Sequence, residues 1–192
     1  MTNEAFPKTI ELPDNSSVEL RRMSSADRDA LLAFARALPE EDLLFLRVDL
    51  TEERVVDDWL ANADSGRSTG IVAYDDNGLN GYAVVHTNPT SWHRHLGEIR
   101  VNVNPAYRNR GLGRALIGNV FELAGTMGLQ KLTAHMTADQ RGAQAAFRHV
   151  GFVPEAHLAD YVQDRTGTTR DMIIMSFDID GLTDQAVSAI RV

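Results

Sequence analysis

The segment at residues 108–116, RNRGLGRAL, sets three arginines around two glycines in a chain whose formal net charge is -8. Apolar residues recur at helical spacing after it, so the segment is predicted to open a helix. The first N–H groups of a helix have no intrahelical partner and carry the positive end of its dipole. Glycines let a ligand approach these groups closely, and arginines add forked donors. We therefore expect an anion site, and a pyrophosphate suits it best.

Two familiar phosphate-binding motifs do not describe this segment. A Walker loop needs Gly-Lys-Ser/Thr, whereas Arg114 and Ala115 follow Gly113 here. A dinucleotide-binding fingerprint needs a third glycine three residues after Gly113, where Leu116 stands. The segment also lies in the middle of the chain after four predicted strands, without a βαβ unit ahead of it. Both motifs are therefore excluded.

The predicted strand at residues 96–103 carries a second set of reactive groups. Its alternation places Glu98, Arg100 and Asn102 on one face and apolar residues on the other. Glu98 could accept a proton, or it could simply face solvent and pair with Arg100. Arg100 could bind a carboxylate of a substrate, although neutralising Glu98 is its simpler role. Asn102 could orient a substrate or a water molecule, or serve only as a polar strand residue.

The elements that must position these groups follow from hydrophobic periodicity and turn residues. Their order is strand, two helices, three strands, helix, strand, helix and two strands, which indicates a mixed α/β sandwich. Asn77-Gly78 between two β-type runs predicts a hairpin. No linker or repeat interrupts the chain, so we expect one domain over residues 1–192, with a core at about 18–179. The tail at 180–192 could form a short helix that packs on the domain or on a second subunit in a homodimer.

Composition limits the classes of partner. The excess of acidic residues, 27 against 19 basic ones, opposes non-specific nucleic-acid binding, so no nucleic-acid partner is expected. The absence of cysteine excludes disulfides and thiolate metal sites, and His93 and His95 have no third ligand nearby, so no metal is expected. We see no signal peptide and no apolar run of about 20 residues, which predicts a cytoplasmic protein without a membrane partner.

Two motifs in register make the sequence resemble the GNAT N-acetyltransferase superfamily over residues 18–179. The acyl-CoA signature of that family, Arg/Gln-x-x-Gly-x-Gly/Ala between a strand and a helix, is matched by Arg108, Gly111 and Gly113. A second motif, an alanine, an aromatic residue four positions on and then Gly-Phe, is matched within residues 143–152. The resemblance implies an α/β (α+β) fold: a mixed, mostly antiparallel central sheet of six to seven strands, with helices on both faces and central strands that splay apart.

The resemblance also implies acetyl-CoA as co-substrate and direct attack of a primary amine on the thioester in a ternary complex. The amine would belong to a small molecule, an amino-acid derivative or a peptide. Backbone N–H groups of the glycine segment would hold the CoA pyrophosphate, and the strand ahead of it would bind the pantetheine arm. Glu98 would deprotonate the amine, and Asn102 would assist. The residues implied to bind acetyl-CoA are Val101, Val103, Arg108, Arg110, Gly111, Leu112, Gly113, Arg114, Gln140 and Phe147.

The second motif departs from the family at two positions. The family often has Tyr where this chain has Phe147, and that tyrosine protonates the departing thiolate. Tyr161 or Tyr107 could take this role, or a thiol with a pKa of roughly 8.5 could leave without an acid. The family often has Asn at the position of Gln140, which could still contact CoA, although a capping box with Thr137 explains it as well. An alternative function is therefore a CoA-binding sensor or regulatory module without catalysis.

The acceptor site is predicted from weaker signals. No motif in the loops at residues 38–50 and 88–95 identifies the acceptor. Phe45, Trp92 and His93 in these loops suggest a pocket with aromatic walls. The excess of acidic residues favours a cationic acceptor.

Overall fold

An eight-stranded sheet organises the residues that the computed structural model describes, 6–43, 48–164 and 167–179. The predictions that concern Phe45 and the tail at 180–192 lie outside these residues. The strands are β1 (Lys8–Glu11), β2 (Ser17–Arg22), β3 (Ser68–Asp75), β4 (Gly78–Thr87), β5 (Leu96–Val103), β6 (Lys131–Thr137), β7 (Val153–Gln163) and β8 (Thr169–Asp178). The helices are α1 (Arg28–Ala37), α2 (Glu40–Leu43), α3 (Glu53–Asp64), α4 (Leu112–Gly125) and α5 (Arg141–Val150).

The sheet runs in the order β1-β2-β3-β4-β5-β6-β8-β7 and is antiparallel except between β5 and β6. The mixed, mostly antiparallel sheet is confirmed, but the predicted count of six to seven strands is too low. The missed strand is β1, which pairs with β2 from Lys8↔Leu20 to Glu11↔Ser17. It has only four residues and none of them is buried, so its alternation is too short to predict a strand.

Helices cover both faces of the sheet, as predicted. Val72 and Tyr82 point into a core with α1 and α3, whereas Ala73 and Ala83 point into a core with α4 and α5. We call these sides the α1/α3 face and the α4/α5 face. Each large apolar side chain buried in these cores contributes about 1.5–3 kcal/mol, which holds the amphipathic helices on the sheet. Within the described residues, no helix has both the length and the apolar character needed to cross a membrane.

β5 and β6 pair in parallel only over their first residues. The register runs from Leu96↔Lys131 to Glu98↔Thr133, after which the two strands separate. β5 stays paired with β4 along its other edge as far as Val103. Beyond Glu98, the edge of β5 that faces β6 therefore has no partner strand among the described residues. The predicted splay of the central strands is confirmed, and it opens a gap through the sheet.

Candidate active site

A cavity of about 310 Å³ lies where β5 and β6 separate. Ile99 and Val101 line it from the α4/α5 face, and Arg100 and Asn102 line it from the α1/α3 face. Consecutive residues of a strand point to opposite faces of a sheet, so both sets can border one cavity only at a free strand edge. This cavity, which we call the through-cavity, therefore connects the two faces of the sheet.

Residues 108–113, which we call the cradle, lead into α4. Glycine is present at positions 111 and 113 of the cradle for different physical reasons. Gly111 has a φ of 92°, and a Cβ there would lie 2.7 Å from Pro13 Cδ, so conformation and packing both require glycine. At Gly113 a Cβ would meet only Val103 Cγ2, at an ordinary 3.6 Å. Glycine inside a helix is about 1 kcal/mol less favourable than alanine, so helix stability does not explain Gly113. The missing side chain instead leaves the first N–H groups of α4 open to a ligand.

Two of the arginine side chains around the cradle are engaged within the protein. Arg108 donates a hydrogen bond to Asp42, and Arg110 donates to Asp14 and, at 2.9 Å, to Ser16 Oγ. Hydrogen bonds from Ser16 and from Arg110 lower the pKa of Asp14 from 3.8 to about 2. Carboxylates distant in sequence therefore pair with both guanidinium groups, and a direct contact of these groups with phosphate stays a prediction. What Arg110 offers at the cradle is its backbone N–H.

Arg114 and Leu112 complete the start of α4. Arg114 is exposed and forms no ion pair within the part of the chain that the structure describes. It therefore brings uncompensated positive charge to a helix start that already favours an anion. Leu112 is fully buried, so its side chain anchors α4 and only its backbone faces the cradle.

Tyr107 supports the cradle from beneath. Its ring is buried under the Arg110 guanidinium, 4.5 Å from the ring centroid, and its hydroxyl donates to Asp75. Tyr107 does not line the through-cavity in the described residues. Its contacts are those of a packing residue, and its suggested role as the acid for the thiolate stays a prediction without support from the cavity lining.

Glu98 lies at the point where β5 and β6 separate. It accepts a hydrogen bond from the Arg100 guanidinium, and its Oε1 lies 3.8 Å from His135 Nδ1. Only 15% of the Glu98 side chain is exposed. The ion pair confirms the simpler role predicted for Arg100, and it keeps the carboxylate beside the gap. Sequence reasoning missed His135, because no local signal shows that β6 brings it opposite Glu98.

A second cavity, of about 480 Å³, adjoins the through-cavity, and we call it the outer groove. Glu98, Tyr161 and Arg170 line the outer groove, while Arg100 and His135 line both cavities. Tyr161 is 64% exposed and lies outside the described lining of the through-cavity. Its role as an acid stays a prediction.

Part of the through-cavity is walled by Leu50, Trp59, Tyr82 and His86, which we call the aromatic pocket. Trp59 and Tyr82 meet edge to face with ring centroids 5.2 Å apart, and the His86 ring lies 6.5 Å from Trp59. Asn102 Nδ2 donates to the Tyr82 hydroxyl at 2.6 Å. Burial raises the pKa of Tyr82, so this phenol stays protonated. Asn102 therefore joins the pocket to β5 rather than standing alone on the strand.

Two of the three residues predicted to form aromatic walls, Trp92 and His93, do not do so in the described residues. Trp92 is 80% exposed on the loop between β4 and β5, and neither Trp92 nor His93 belongs to the described lining of the through-cavity. The walls come instead from Trp59 of α3 and Tyr82 of β4, which are buried. Their sequence patterns indicate core positions, and only the tertiary fold shows that they border a cavity.

The second motif borders the through-cavity at α5. Phe147 is buried in an edge-to-face aromatic pair and has no proton to give. Gln140 is the N-cap of α5, and its Oε1 accepts a hydrogen bond from the Thr137 N–H at 3.1 Å. The predicted capping box is only half formed: β6 runs through Thr137 and α5 begins at Arg141. The Thr137 hydroxyl donates to Asp139 instead of capping the helix.

Solved structures with the same architecture identify the class of protein. A ribosomal-protein-alanine N-acetyltransferase from Brucella melitensis superposes with a TM-score of 0.75 at 27% identity, covering 83% of this chain and 99% of its own. The yncA protein of Salmonella typhimurium, solved with its cofactor acetyl-CoA, superposes with a TM-score of 0.75 at 19% identity, covering 86% and 95%. This second likeness is one of fold alone. The chain therefore shares the fold of these acetyltransferases.

Sequence comparison identifies the family within that class. The model of the acetyltransferase (GNAT) family matches residues 30–152, which is more than half of the chain. The chain belongs to the acetyltransferase (GNAT) family. A curated relative, mycothiol acetyltransferase from Beutenbergia cavernae, is 35% identical over 66 residues, or 34% of this chain. That match spans only 22% of the relative's own length.

Proposed function

We propose that this protein transfers the acetyl group of acetyl-CoA to a primary amine of a small molecule, an amino-acid derivative or a peptide, in a ternary complex. The observation that carries the proposal is that the open helix start at Gly113 lies beside the gap between β5 and β6. A Cβ on Gly113 would contact Val103, the last residue of β5, so the cradle continues directly into the unpaired strand edge. A phosphate site joined to an extended slot suits a long thioester such as acetyl-CoA.

The cradle would hold the CoA pyrophosphate, and the free edge of β5 would hold the pantetheine arm. Backbone groups of Val101 and Val103 are the proposed contacts for the arm, with Gln140 and Phe147 bordering it. Bound in this way, acetyl-CoA supplies an activated acetyl thioester. The proposed contacts for the pyrophosphate are the N–H groups of Arg110, Gly111, Leu112 and Gly113 and the guanidinium of Arg114.

Glu98 is the proposed proton acceptor for the acceptor amine. Arg100 holds its carboxylate beside the gap, and His135, which lies 3.8 Å from Glu98, lines both cavities. An amine attacks in its neutral form, and its nitrogen must then lose one proton, which a proton acceptor at this position can take. Glu98 receives the proton that the nitrogen loses as a new C–N bond replaces the C–S bond. Asn102, fixed by Tyr82, is proposed to orient the acceptor.

The C–S bond breaks as the amide forms, and we propose two alternatives for the sulfur: it receives a proton from an acid, or it leaves as a free thiolate. Phe147 cannot supply a proton. Tyr161 in the outer groove is one candidate, and departure without an acid is the other, since a thiol pKa of roughly 8.5 makes the thiolate a good leaving group. A cytoplasmic location and a homodimer stay predictions.

The proposal is tested by measuring release of free CoA from acetyl-CoA with a panel of primary amines. Tertiary amines with the same carbon skeletons serve as controls, because they cannot form a stable amide. Release with primary amines alone, together with an acetylated product in mass spectrometry, supports the proposal. Saturable binding of acetyl-CoA without release from any amine would favour the sensor or regulatory module instead.

A further inference from the structure

We infer that the acceptor is a monoamine with an aromatic or apolar carbon skeleton, and that this skeleton binds in the aromatic pocket. The inference rests on the proposed acetyltransferase function and names its substrate class. It assigns the amine to the end of the through-cavity near Glu98 and the skeleton to the end near Trp59. This narrows the cationic acceptor that composition favours to one that carries a single ammonium group.

The walls of the pocket are apolar and preformed. Trp59 is 9% exposed and Tyr82 is 3% exposed, so both rings are held by the core rather than by a ligand. Their edge-to-face contact leaves ring surface toward the cavity, with Leu50 beside it. Rigid aromatic surfaces favour flat or apolar partners, because burying apolar area is favourable and costs no rearrangement of these walls.

Two pairs of polar groups that border the pocket bind each other. Ser68 Oγ and His86 Nδ1 lie 2.8 Å apart, and Asn102 Nδ2 donates to the Tyr82 hydroxyl at 2.6 Å. A ligand is therefore not needed to satisfy these atoms. An apolar skeleton leaves both pairs intact, whereas a strongly polar one would have to compete with them.

Charge inside the cavity excludes a second ammonium group. The described lining of the through-cavity contains Arg100, His86 and His135 but no carboxylate, although the chain carries net charge -8. Glu98, which is already paired with Arg100, lines the adjoining outer groove, where it would face the reacting amine. A second cationic group in the pocket would be desolvated with no carboxylate in the described lining to pair with it, which is unfavourable.

Tryptophan fluorescence tests this assignment directly, because the chain has only two tryptophans. Trp92→Phe leaves Trp59 as the single reporter and changes an exposed loop residue outside both cavities. We expect 2-phenylethylamine to change the Trp59 emission saturably and 1,5-diaminopentane to leave it unchanged. In the unmodified protein, kcat/KM should be higher for 2-phenylethylamine than for the diamine by about tenfold or more.

A matched pair of variants distinguishes a change in the aromatic pocket from the effect of replacing a tryptophan elsewhere in the protein. Trp59→Leu should raise KM for 2-phenylethylamine about tenfold with kcat less affected, and Trp92→Leu should change neither. Circular dichroism checks that Trp59→Leu folds, and the milder Trp59→Phe serves if it does not. Equal or better turnover of the diamine, or no response of Trp59 to the aromatic amine, would overturn the inference. A saturable Trp59 response without CoA release from any amine would support the pocket and contradict the acetyltransferase function.

Discussion

The chain builds the cradle and the aromatic pocket in opposite ways. The cradle is six consecutive residues at a strand-to-helix turn, and its chemistry comes from backbone N–H groups. The aromatic pocket draws Trp59 from α3 and both Tyr82 and His86 from β4, with Leu50 beside them, and its chemistry comes from side chains. The comparison teaches that the part proposed to hold the co-substrate is local in sequence, whereas the part proposed to select the acceptor is assembled by the tertiary fold.

The largest expected effect lies between the two regions, at Glu98. Glu98→Gln should lower kcat by about 10²–10⁴-fold, the usual contribution of general base catalysis, while acetyl-CoA affinity stays unchanged because Glu98 is outside the cradle. Glu155→Gln is the matched control, since it breaks an ion pair with Lys131 that lies outside both cavities. Turnover that matches the unmodified protein at every pH would remove Glu98 from the mechanism.

Alanine substitutions at the two glycines of the cradle should change stability differently, because the fold requires glycine at position 111 and does not require it at position 113. Gly111→Ala should lower the free energy of unfolding by at least about 1–2 kcal/mol, because the left-handed backbone is strained by a Cβ and Pro13 leaves no room for one. Gly113→Ala should leave stability unchanged or raise it by up to about 1 kcal/mol, through helix propensity. Urea unfolding of both variants measures the difference. Equal destabilisation would mean that both glycines are structural.

A smaller effect is expected in the aromatic pocket at Tyr82. Tyr82→Phe removes the acceptor of the Asn102 hydrogen bond and should lower the free energy of unfolding by about 1 kcal/mol. Acetyl-CoA affinity should not change, because the cradle does not contact this ring. Calorimetric titration with acetyl-CoA, alongside urea unfolding, checks both statements. A clear loss of acetyl-CoA affinity would show that the two regions are not independent.

The smallest effect concerns the ion pair beneath the cradle. The pKa of Asp14 in the folded protein is lowered from 3.8 to about 2, so its ionised form stabilises the fold above pH 3.8, and that contribution is lost as pH falls toward 2. Asp14→Asn should therefore be slightly less stable than the unmodified protein at pH 7. The difference in urea unfolding should shrink as pH is lowered below 3.8. A difference that stays constant with pH would contradict the assigned ion pair.

The sequence predicts well those structural features that depend on residues close together in the chain. The hairpin at Asn77-Gly78, the start of α4 at the glycine segment and the alternation of β5 all depend on residues a few positions apart. The splay of β5 from β6 followed from the family resemblance, not from periodicity. It is confirmed by the register, which stops at Glu98↔Thr133.

The features that the sequence could not predict depend on contacts between distant residues. Asp14 stands 96 residues before Arg110, and nothing near either residue shows that they pair. The same holds for His135 beside Glu98 and for Trp59 in the cavity wall. A buried aromatic residue gives the same hydrophobic pattern in the sequence whether it lies in a core or lines a pocket. The sequence pattern alone therefore cannot distinguish these two positions.

The central claim is that the open cradle binds the phosphates of acetyl-CoA, and thermal unfolding tests it most directly. At a hundredfold excess over its dissociation constant, acetyl-CoA should stabilise the protein by about 2.7 kcal/mol, which raises Tm by roughly 5–10 °C for a chain of this size. Gly113→Glu should fold, because the space there is open and a glutamate suits the first turn of a helix, but its carboxylate should repel phosphate. A rise in Tm that disappears in Gly113→Glu is the predicted result. An equal rise in both proteins, or no rise in either at millimolar acetyl-CoA, would contradict the account.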